Sequence, residues 1–237
     1  MRENVLGSAY SADAVRAAEA PLLAAGEPLM RQAATALADV VRERLAQTPG
    51  SLLVLAGGGD NGGDALYAAA ELAGPRQRVD IVLTSDRAHR DALAAALSAG
   101  AVLRGAGDLR EGAGEYAVIL DGILGIGVSA DPRLRGVARA VVETLLPVVR
   151  GGGVVVIAVD LPSGLHPDDG GADDVVLPAT TTVTFGALKA GLVRGRGPEL
   201  SGEVRLVDLG LGPALARARP EVTGPIPVVS VARRQRA

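Results

Sequence analysis

The 237 residues include no cysteine and no tryptophan. Disulfides, thiol nucleophiles and cysteine-based zinc sites are therefore excluded. Aromatic residues are almost as scarce. They make up 2% of the chain against 48% for hydrophobic residues as a whole. A core must therefore be filled by Ala, Val and Leu rather than by large rings. Excess positive charge is also missing: the formal net charge is −3. No basic stripe interleaves with aromatics, so no nucleic-acid partner is expected. The basic run from Arg233 to Arg236 reads as a solvated end. No stretch is long and apolar enough to cross a bilayer, so no membrane partner is expected. The N-terminal region carries Glu3, Asp13 and Glu19 without a compact apolar segment, unlike a signal peptide. These absences are compatible with a reducing cytosol, and a cytoplasmic location is expected. Lysine is nearly absent: Lys189 stands alone, the other 23 of 24 Lys or Arg residues being arginine. Asparagine is also rare.

What is present is an alternation of periods. Ser11 to Ala20 reads as a short helix with Ser11 as N-cap. A second helix begins near Pro28, a favourable first-turn position, and ends near Gly50. Met30, Ala33, Leu37, Val40 and Val41 fall on its apolar face. Short apolar runs then alternate with helical segments. The strands are Leu52 to Ala56, Val79 to Thr84, Ala117 to Asp121, Val154 to Asp160, Thr181 to Phe185 and Val204 to Leu209. The intervening helices are Asp64 to Ala73, Ala88 to Ala99 and Leu134 to Val149. Several strands are apolar on both faces, the mark of a parallel sheet covered on both sides. The expected architecture is a three-layer αβα sandwich of Rossmann type with a mostly parallel sheet. The length suits one large α/β domain spanning residues 1–237. The Pro- and Ala-rich segment after Gly210 reads as a surface wrap or linker end.

Ligands of open parallel sheets bind at the carboxyl ends of the strands, and three such ends are chemically unusual. The first is Gly57-Gly58-Gly59-Asp60-Asn61-Gly62-Gly63-Asp64. Its glycines let backbone N–H groups approach a pyrophosphate, and the following helix presents its positive end. The G-x-G-x-x-G spacing of Gly57, Gly59 and Gly62 is weak evidence by itself in a chain with 32 glycines. A plain turn with Asp64 capping the helix is the bland alternative. Asp60 and Asp64 would repel a phosphate unless a cation or hydroxyl lay between, which points to a composite site. The second end runs from Val118 through Asp121-Gly122 to Gly125-Ile126-Gly127. The third is Asp160-Leu161-Pro162-Ser163-Gly164. In both, an acid terminates a buried strand, although a capping or turn Asp would look the same. Asn61, Asp121 and Ser163 together could offer oxygen ligands to a hard cation. Few charges and several neutral oxygens favour a monovalent ion such as potassium. Asp160 would remain free to handle protons or bind a hydroxyl. Lys189 could bind a phosphate, support Asp160, or be a solvated surface residue.

At these residues the sequence resembles the NAD(P)H-hydrate epimerase family, the YjeF N-terminal domain. The resemblance runs from about Ser11 to Gly212. It rests on ordered stretches: Leu29-Met30 with Ala33, Asn61-Gly62-Gly63-Asp64, Asp121-Gly122 with Gly125-Ile126-Gly127, Asp160-Leu161-Pro162-Ser163-Gly164, and Thr184-Phe185-Gly186-Ala187-Leu188-Lys189-Ala190-Gly191-Leu192. The resemblance implies a Rossmann-like fold, often dimeric. It also implies an isomerase that interconverts the R and S epimers of hydrated NADH and NADPH (NADHX and NADPHX), so that a stereospecific dehydratase can restore the cofactor. Carried over, Asp60, Asn61, Gly62, Gly63 and Asp64 would contact the substrate, as would Gly125, Ile126, Gly127, Val128, Ser129, Ala130 and Asp131. Asn61, Asp121 and Ser163 would hold potassium. Asp160 would be the central acid, with Lys189 beside it as a second catalytic candidate. Many bacterial relatives carry a C-terminal dehydratase domain, for which no counterpart is expected here.

The sequence departs from the family pattern in places. Asp60 stands where the family usually has Asn, and Ala65 where it has Gly. Arg31-Gln32 stands where it tends to Glu-Asn, and His166 occupies a position often acidic in relatives. His166 reads as a loop residue and His89 as a helix-surface residue. The charge added at Asp60 keeps open a non-catalytic nucleotide- or protein-binding module on the same fold. A conventional NAD oxidoreductase is disfavoured. Asp80 lies at the wrong end of its strand for a ribose, although Asp86 lies just past the right end. No Tyr-Lys or His catalytic pair is evident.

Overall fold

Along the strand Ser51–Ala56 every residue after Ser51 is buried, and successive side chains leave on opposite faces. Leu52, Val54 and Ala56 enter one apolar cluster, while Leu53 and Leu55 enter another. A strand with two buried faces belongs in the middle of a parallel sheet, and the computed structural model places it there. The structure describes residues 4–127 and 131–231.

Strand β1 (Asn4–Tyr10) precedes helices α1 (Ala12–Ala24) and α2 (Leu29–Gln47). Then follow β2 (Ser51–Ala56), α3 (Asp60–Leu72), β3 (Val79–Leu83), α4 (Arg90–Ser98) and β4 (Val102–Leu103). A short turn of helix, α5 (Leu109–Gly112), leads to β5 (Tyr116–Gly122), α6 (Gly136–Arg150) and β6 (Val155–Val159). The remainder comprises β7 (Thr181–Phe185), β8 (Leu188–Lys189), α7 (Gly197–Leu200), β9 (Glu203–Val207), α8 (Gly212–Leu215), β10 (Val222–Pro227) and β11 (Val229–Val231).

The main sheet has eight strands in the order β11-β9-β7-β6-β5-β2-β3-β4, all paired in parallel. Helices α2, α3 and α4 pack on one face and α6 on the other, giving the expected three-layer αβα arrangement. Helix α6 buries Ala138, Val141, Val142, Leu145 and Val149, a helical stripe that lies on the sheet. The connections reverse direction between β2 and β5. This topological switch point opens a crevice at the carboxyl ends of the strands.

A second sheet, in the order β10-β1-β8, was not legible in the sequence. β10 pairs antiparallel and β8 parallel with β1. The segment after Gly210 is therefore not a wrap: it supplies an outer strand to each sheet. β10 reads Val-Thr-Gly-Pro-Ile-Pro, a composition that argues against a strand, but it lies on a sheet edge, where proline is tolerated. His89 is not merely a surface residue either: it caps α4, its Nδ1 accepting from the Ala92 N–H at 3.2 Å. His166 lies in a loop, as expected.

Candidate active site

The glycine segment folds differently from the expected long loop. Helix α3 starts at Asp60 with Gly59 as N-cap, so Asp64 does not cap it and Asn61, Gly62 and Gly63 form its first turn. The first intrahelical bond there runs from the Gly63 N–H to the Gly59 carbonyl at 3.1 Å. Earlier N–H groups of the turn have no helical acceptor, which leaves the positive end of α3 at the crevice. Glycine is required here by close approach. A Cβ on Gly57 would lie 1.8 Å from the Ile123 carbonyl oxygen, and one on Gly62 would lie 2.1 Å from the Gly57 carbonyl oxygen. The loops after β2 and β5 are thus in backbone contact.

That contact and the pairing of β5 with β6 bring Asn61, Asp121 and Ser163 together, although 60 and 42 positions separate them in turn. The Ser163 hydroxyl donates to Asp121 Oδ1 at 2.6 Å, and the Ser163 N–H donates to Asp121 Oδ2 at 2.9 Å. Ser163 Oγ also accepts from the Leu124 N–H at 2.9 Å. The Asn61 amide donates to the carbonyls of Leu124 at 3.1 Å and Val159 at 2.5 Å. Asp121 is fully buried, and no ion pair among the described residues reaches it. Burial raises its pKa, against the hydrogen bonds from Ser163.

Asp160 follows β6 and adopts φ +67°, alone among the described non-glycine residues in having positive φ. Aspartate visits this region more readily than most residues, at a cost of about 1–2 kcal/mol. The turn is held by the Asp160 N–H, which donates to the Val183 carbonyl at 2.8 Å. Oδ1 of Asp160 accepts from the Thr184 hydroxyl at 3.1 Å and the Phe185 N–H at 3.2 Å. It also forms a close ion pair with Lys189 Nζ. Lys189 is 1% exposed and additionally donates to the Phe185 carbonyl at 2.8 Å and to Thr184 Oγ1 at 3.2 Å. Of the three sequence readings for Lys189, support of Asp160 is the one the geometry satisfies, and a solvated surface position is ruled out. Its backbone is fixed by the second sheet, where Lys189 pairs with Tyr10 of β1.

Two cavities meet at this point. The larger, about 540 Å³, lies at the switch point among Gly57–Asn61, the end of β3, Ile123–Gly127 and the start of α6. Arg87, Arg133 and Arg135 line it. The smaller, about 270 Å³, is lined by Arg16, Glu19, Met30, Asp64, Asp160, Phe185 and Lys189, among others. Asp60, Asn61, Ile126 and Gly127 border both. Asp64 is buried, and its Oδ1 has no hydrogen-bond partner among the described residues. Burial, followed by the charges of Asp160, Asp60 and Glu19, pushes its pKa well above the ordinary carboxyl range. Burial also raises the pKa of Glu19, against the nearby Lys189 charge. One compartment thus offers glycine amides and guanidinium groups, and the other a set of carboxyl groups around one lysine.

Residues 26–191 match the family described as YjeF-related protein N-terminus. The chain belongs to this family. It is 65% identical over 222 residues to a Microbacterium testaceum protein named NAD(P)H-hydrate epimerase, covering 94% of this chain and 86% of that one. A Clavibacter michiganensis protein of the same name is 48% identical over 236 residues, covering 97% and 98%. A Mycobacterium tuberculosis protein, named bifunctional NAD(P)H-hydrate repair enzyme Nnr, is 39% identical over 210 residues, covering 85% of this chain and 41% of that one. The crystal structure of yeast YNL200c shares the fold at a TM-score of 0.67 and 20% identity, covering 78% of this chain and 83% of that one.

Most of the positions implied by the family resemblance border these cavities. Asp60, Asn61, Gly125, Ile126, Gly127 and Asp131 line the larger cavity, and Asp64 and Asp160 line the smaller. Gly62 and Gly63 are buried in the first turn of α3. Val128, Ser129 and Ala130 lie outside the described residues. Asp131 pairs with Arg133 at 2.8 Å and Arg135 at 2.5 Å, and its hydrogen bond with Arg133 lowers its pKa. The departures are accommodated. Ala65 fills space beside Gly122, where a Cβ would come within 2.6 Å of its own. Arg31 stacks 3.7 Å over the Tyr67 ring. Asp60 is exposed on the shared rim. Sequence reasoning missed Glu19, Arg87, Arg133 and Arg135, which belong to no motif and become neighbours only through the fold. At the other end of the sheet, Asp80 bonds Arg78 at 2.7 Å and Tyr116 at 2.9 Å, so it plays no part in the crevice.

Proposed function

We propose that this chain is an NAD(P)H-hydrate epimerase, an isomerase that interconverts the R and S forms of NADHX and NADPHX. The observation that carries the reading is the joined pair of cavities at the switch point. A glycine- and arginine-lined compartment suits a diphosphate and adenosine. A compartment of carboxyls around Lys189 suits a hydrated ring that becomes cationic when its hydroxyl leaves. The high identity to proteins named as epimerases, over most of their length, supports the same activity.

Epimerisation inverts the hydroxyl-bearing ring carbon. The C–O bond breaks as the hydroxyl takes up a proton and leaves as water. The ring nitrogen lone pair stabilises the resulting cation, and water then adds to the opposite face and returns the proton. Asp160, held by Lys189, Thr184 and the Phe185 N–H, lies where an anionic oxygen can stabilise that cation and exchange a proton with the hydroxyl. Asp64 keeps its proton to higher pH than an ordinary carboxyl, which suits it to assist the departure. Lys189 fixes the orientation of Asp160.

The residues also fit a potassium ion. Asp121 is a buried carboxylate without a cationic partner among the described residues, an arrangement that is costly unless a cation is supplied. Ser163 Oγ links Asp121 to the Leu124 carbonyl, and the carbonyls of Leu124 and Val159 face Asn61, so neutral oxygens lie beside both residues. Turning the Asn61 amide over would place Oδ1 against those carbonyls, as a cation there would require. A bound potassium ion would supply fixed positive charge and oxygen coordination, with Asn61, Asp121 and Ser163 as its side-chain ligands. Functional coupling to an NAD(P)HX dehydratase, a homodimeric state and a cytoplasmic location form part of the same proposal. Among the described residues no helix is long and apolar enough to cross a membrane.

The test supplies the protein with the R epimer of NADHX and a dehydratase that accepts only the S epimer, and follows NADH recovery by absorbance. Recovery faster than the spontaneous control, and lost in Asp160→Asn, supports the enzyme. Recovery at the control rate, from folded protein that still binds ADP-ribose, leaves a nucleotide-binding module on the same fold.

A further inference from the structure

The order β4-β3-β2-β5-β6-β7 within the main sheet is the doubly wound order in which dinucleotides bind with their adenosine ribose at the end of the strand next to the glycine loop. Here that strand is β3. An acidic residue at its end grips free ribose hydroxyls, whereas an arginine accepts a 2′-phosphate. β3 ends at Leu83, and of the next four residues Thr84, Ser85 and Arg87 line the larger cavity while Asp86 does not. This turn is built against the glycine loop: a Cβ on Gly58 would lie 2.9 Å from Ser85 Oγ and 3.1 Å from the Arg87 carbonyl oxygen. Ser85 Oγ accepts from the Arg87 N–H at 3.2 Å, which fixes the backbone that carries the guanidinium.

The charges in the cavity are not equivalent. Arg133 and Arg135 are both engaged by Asp131. Arg87 is exposed and forms no ion pair among the described residues. The lining carboxylates are Asp60, at the start of α3, and Asp131. Neither belongs to the β3 turn, and Asp86 of that turn is not among the lining residues, so the turn's lining offers a ribose a cation and hydroxyls but no carboxylate.

Resting on the epimerase reading, we propose that Arg87 makes the larger cavity select dinucleotides that carry a 2′-phosphate on the adenosine ribose. NADPHX is then the preferred substrate over NADHX. A guanidinium meets a phosphomonoester with two parallel N–H···O bonds, a match that an uncharged ribose hydroxyl cannot offer.

The experiment titrates the full chain with 2′-phospho-ADP-ribose and with ADP-ribose, and measures kcat/KM for both hydrates in the coupled assay. The phosphorylated fragment should bind about tenfold tighter or more, as expected for a charge-assisted bidentate contact. In Arg87→Ala the ratio of the two affinities should fall towards one, and the ratio of kcat/KM values should fall with it. Arg87→Lys should retain part of the preference. Arg87 is exposed, so these variants should fold. Equal binding of the two fragments by the parent protein, or an unchanged ratio in Arg87→Ala, overturns the proposal while active epimerisation leaves the functional reading standing. Failure of both fragments to bind, together with failure to epimerise either hydrate, overturns that reading and the proposal with it.

Discussion

Replacing Lys189 by Met keeps an unbranched chain of similar length and removes its charge. Lys189 is 1% exposed and the Asp160 side chain 6%, so water cannot readily replace the lost partner. Removing one member of a buried ion pair costs about 3–5 kcal/mol. Asp160 Oδ1 would keep its bonds from Thr184 Oγ1 and the Phe185 N–H, but the Phe185 carbonyl would lose the Lys189 donor. The retained bonds place the expected loss near the lower end, about 3 kcal/mol. For a domain of this size that corresponds to a fall in Tm of roughly 6–12 °C. Urea unfolding gives the free energy and a thermal scan the temperature. The Lys189→Met/Asp160→Asn double variant removes the stranded charge and should recover most of the loss. The reasoning is refuted if the single variant stays within about 1 kcal/mol of the parent, or if the double variant is no more stable than the single.

Further outcomes follow from other groups in the site. The Asp64 pKa is raised above its ordinary 3.8, so its stabilising contribution is complete below that pH and is lost as pH rises through the folded value. Asp64→Asn should therefore gain stability relative to the parent as pH increases from about 4, by at most about 1.4 kcal/mol per pH unit. A pH-independent difference in urea unfolding would contradict this. Potassium at about a hundred times its Kd should stabilise the fold by about 2.7 kcal/mol relative to a bulky organic cation at equal ionic strength. Asp121→Asn should remove that increment, as measured by thermal unfolding. A Cβ added by Gly125→Ala would lie 2.1 Å from Asn61 Oδ1, so the amide must move. We expect a cost of about 1–3 kcal/mol and a larger drop in epimerisation than in fragment binding; unchanged turnover would argue against a role for the Asn61 position.

The fold class and the chemical character of three strand ends were legible in the amino-acid order. Period and burial coincide in this chain: runs such as Leu52 to Ala56 are apolar at consecutive positions, and helices such as α6 are apolar at helical spacing. Gly57 and Gly62 were legible as places of close approach, and Asp121 and Asp160 as acids at the ends of buried strands. Local pattern could not show how the glycine segment divides, because Asp60 and Asn61 serve a helix start as well as they serve a turn. Nor could it show β1 and β10, whose pairing is with each other, about 220 residues apart in the register Asn4 with Pro227.

The tertiary structure alone decided what Lys189 does. A lone lysine can be solvated or buried, and only the packing of β8 against β1 and the turn at Asp160 removes it from water and gives it a partner. The same holds for Glu19 and Arg87, which no motif marks. Their roles depend on which cavity wall they reach, and a long-range contact of that kind leaves no periodicity in the chain from which it could be read.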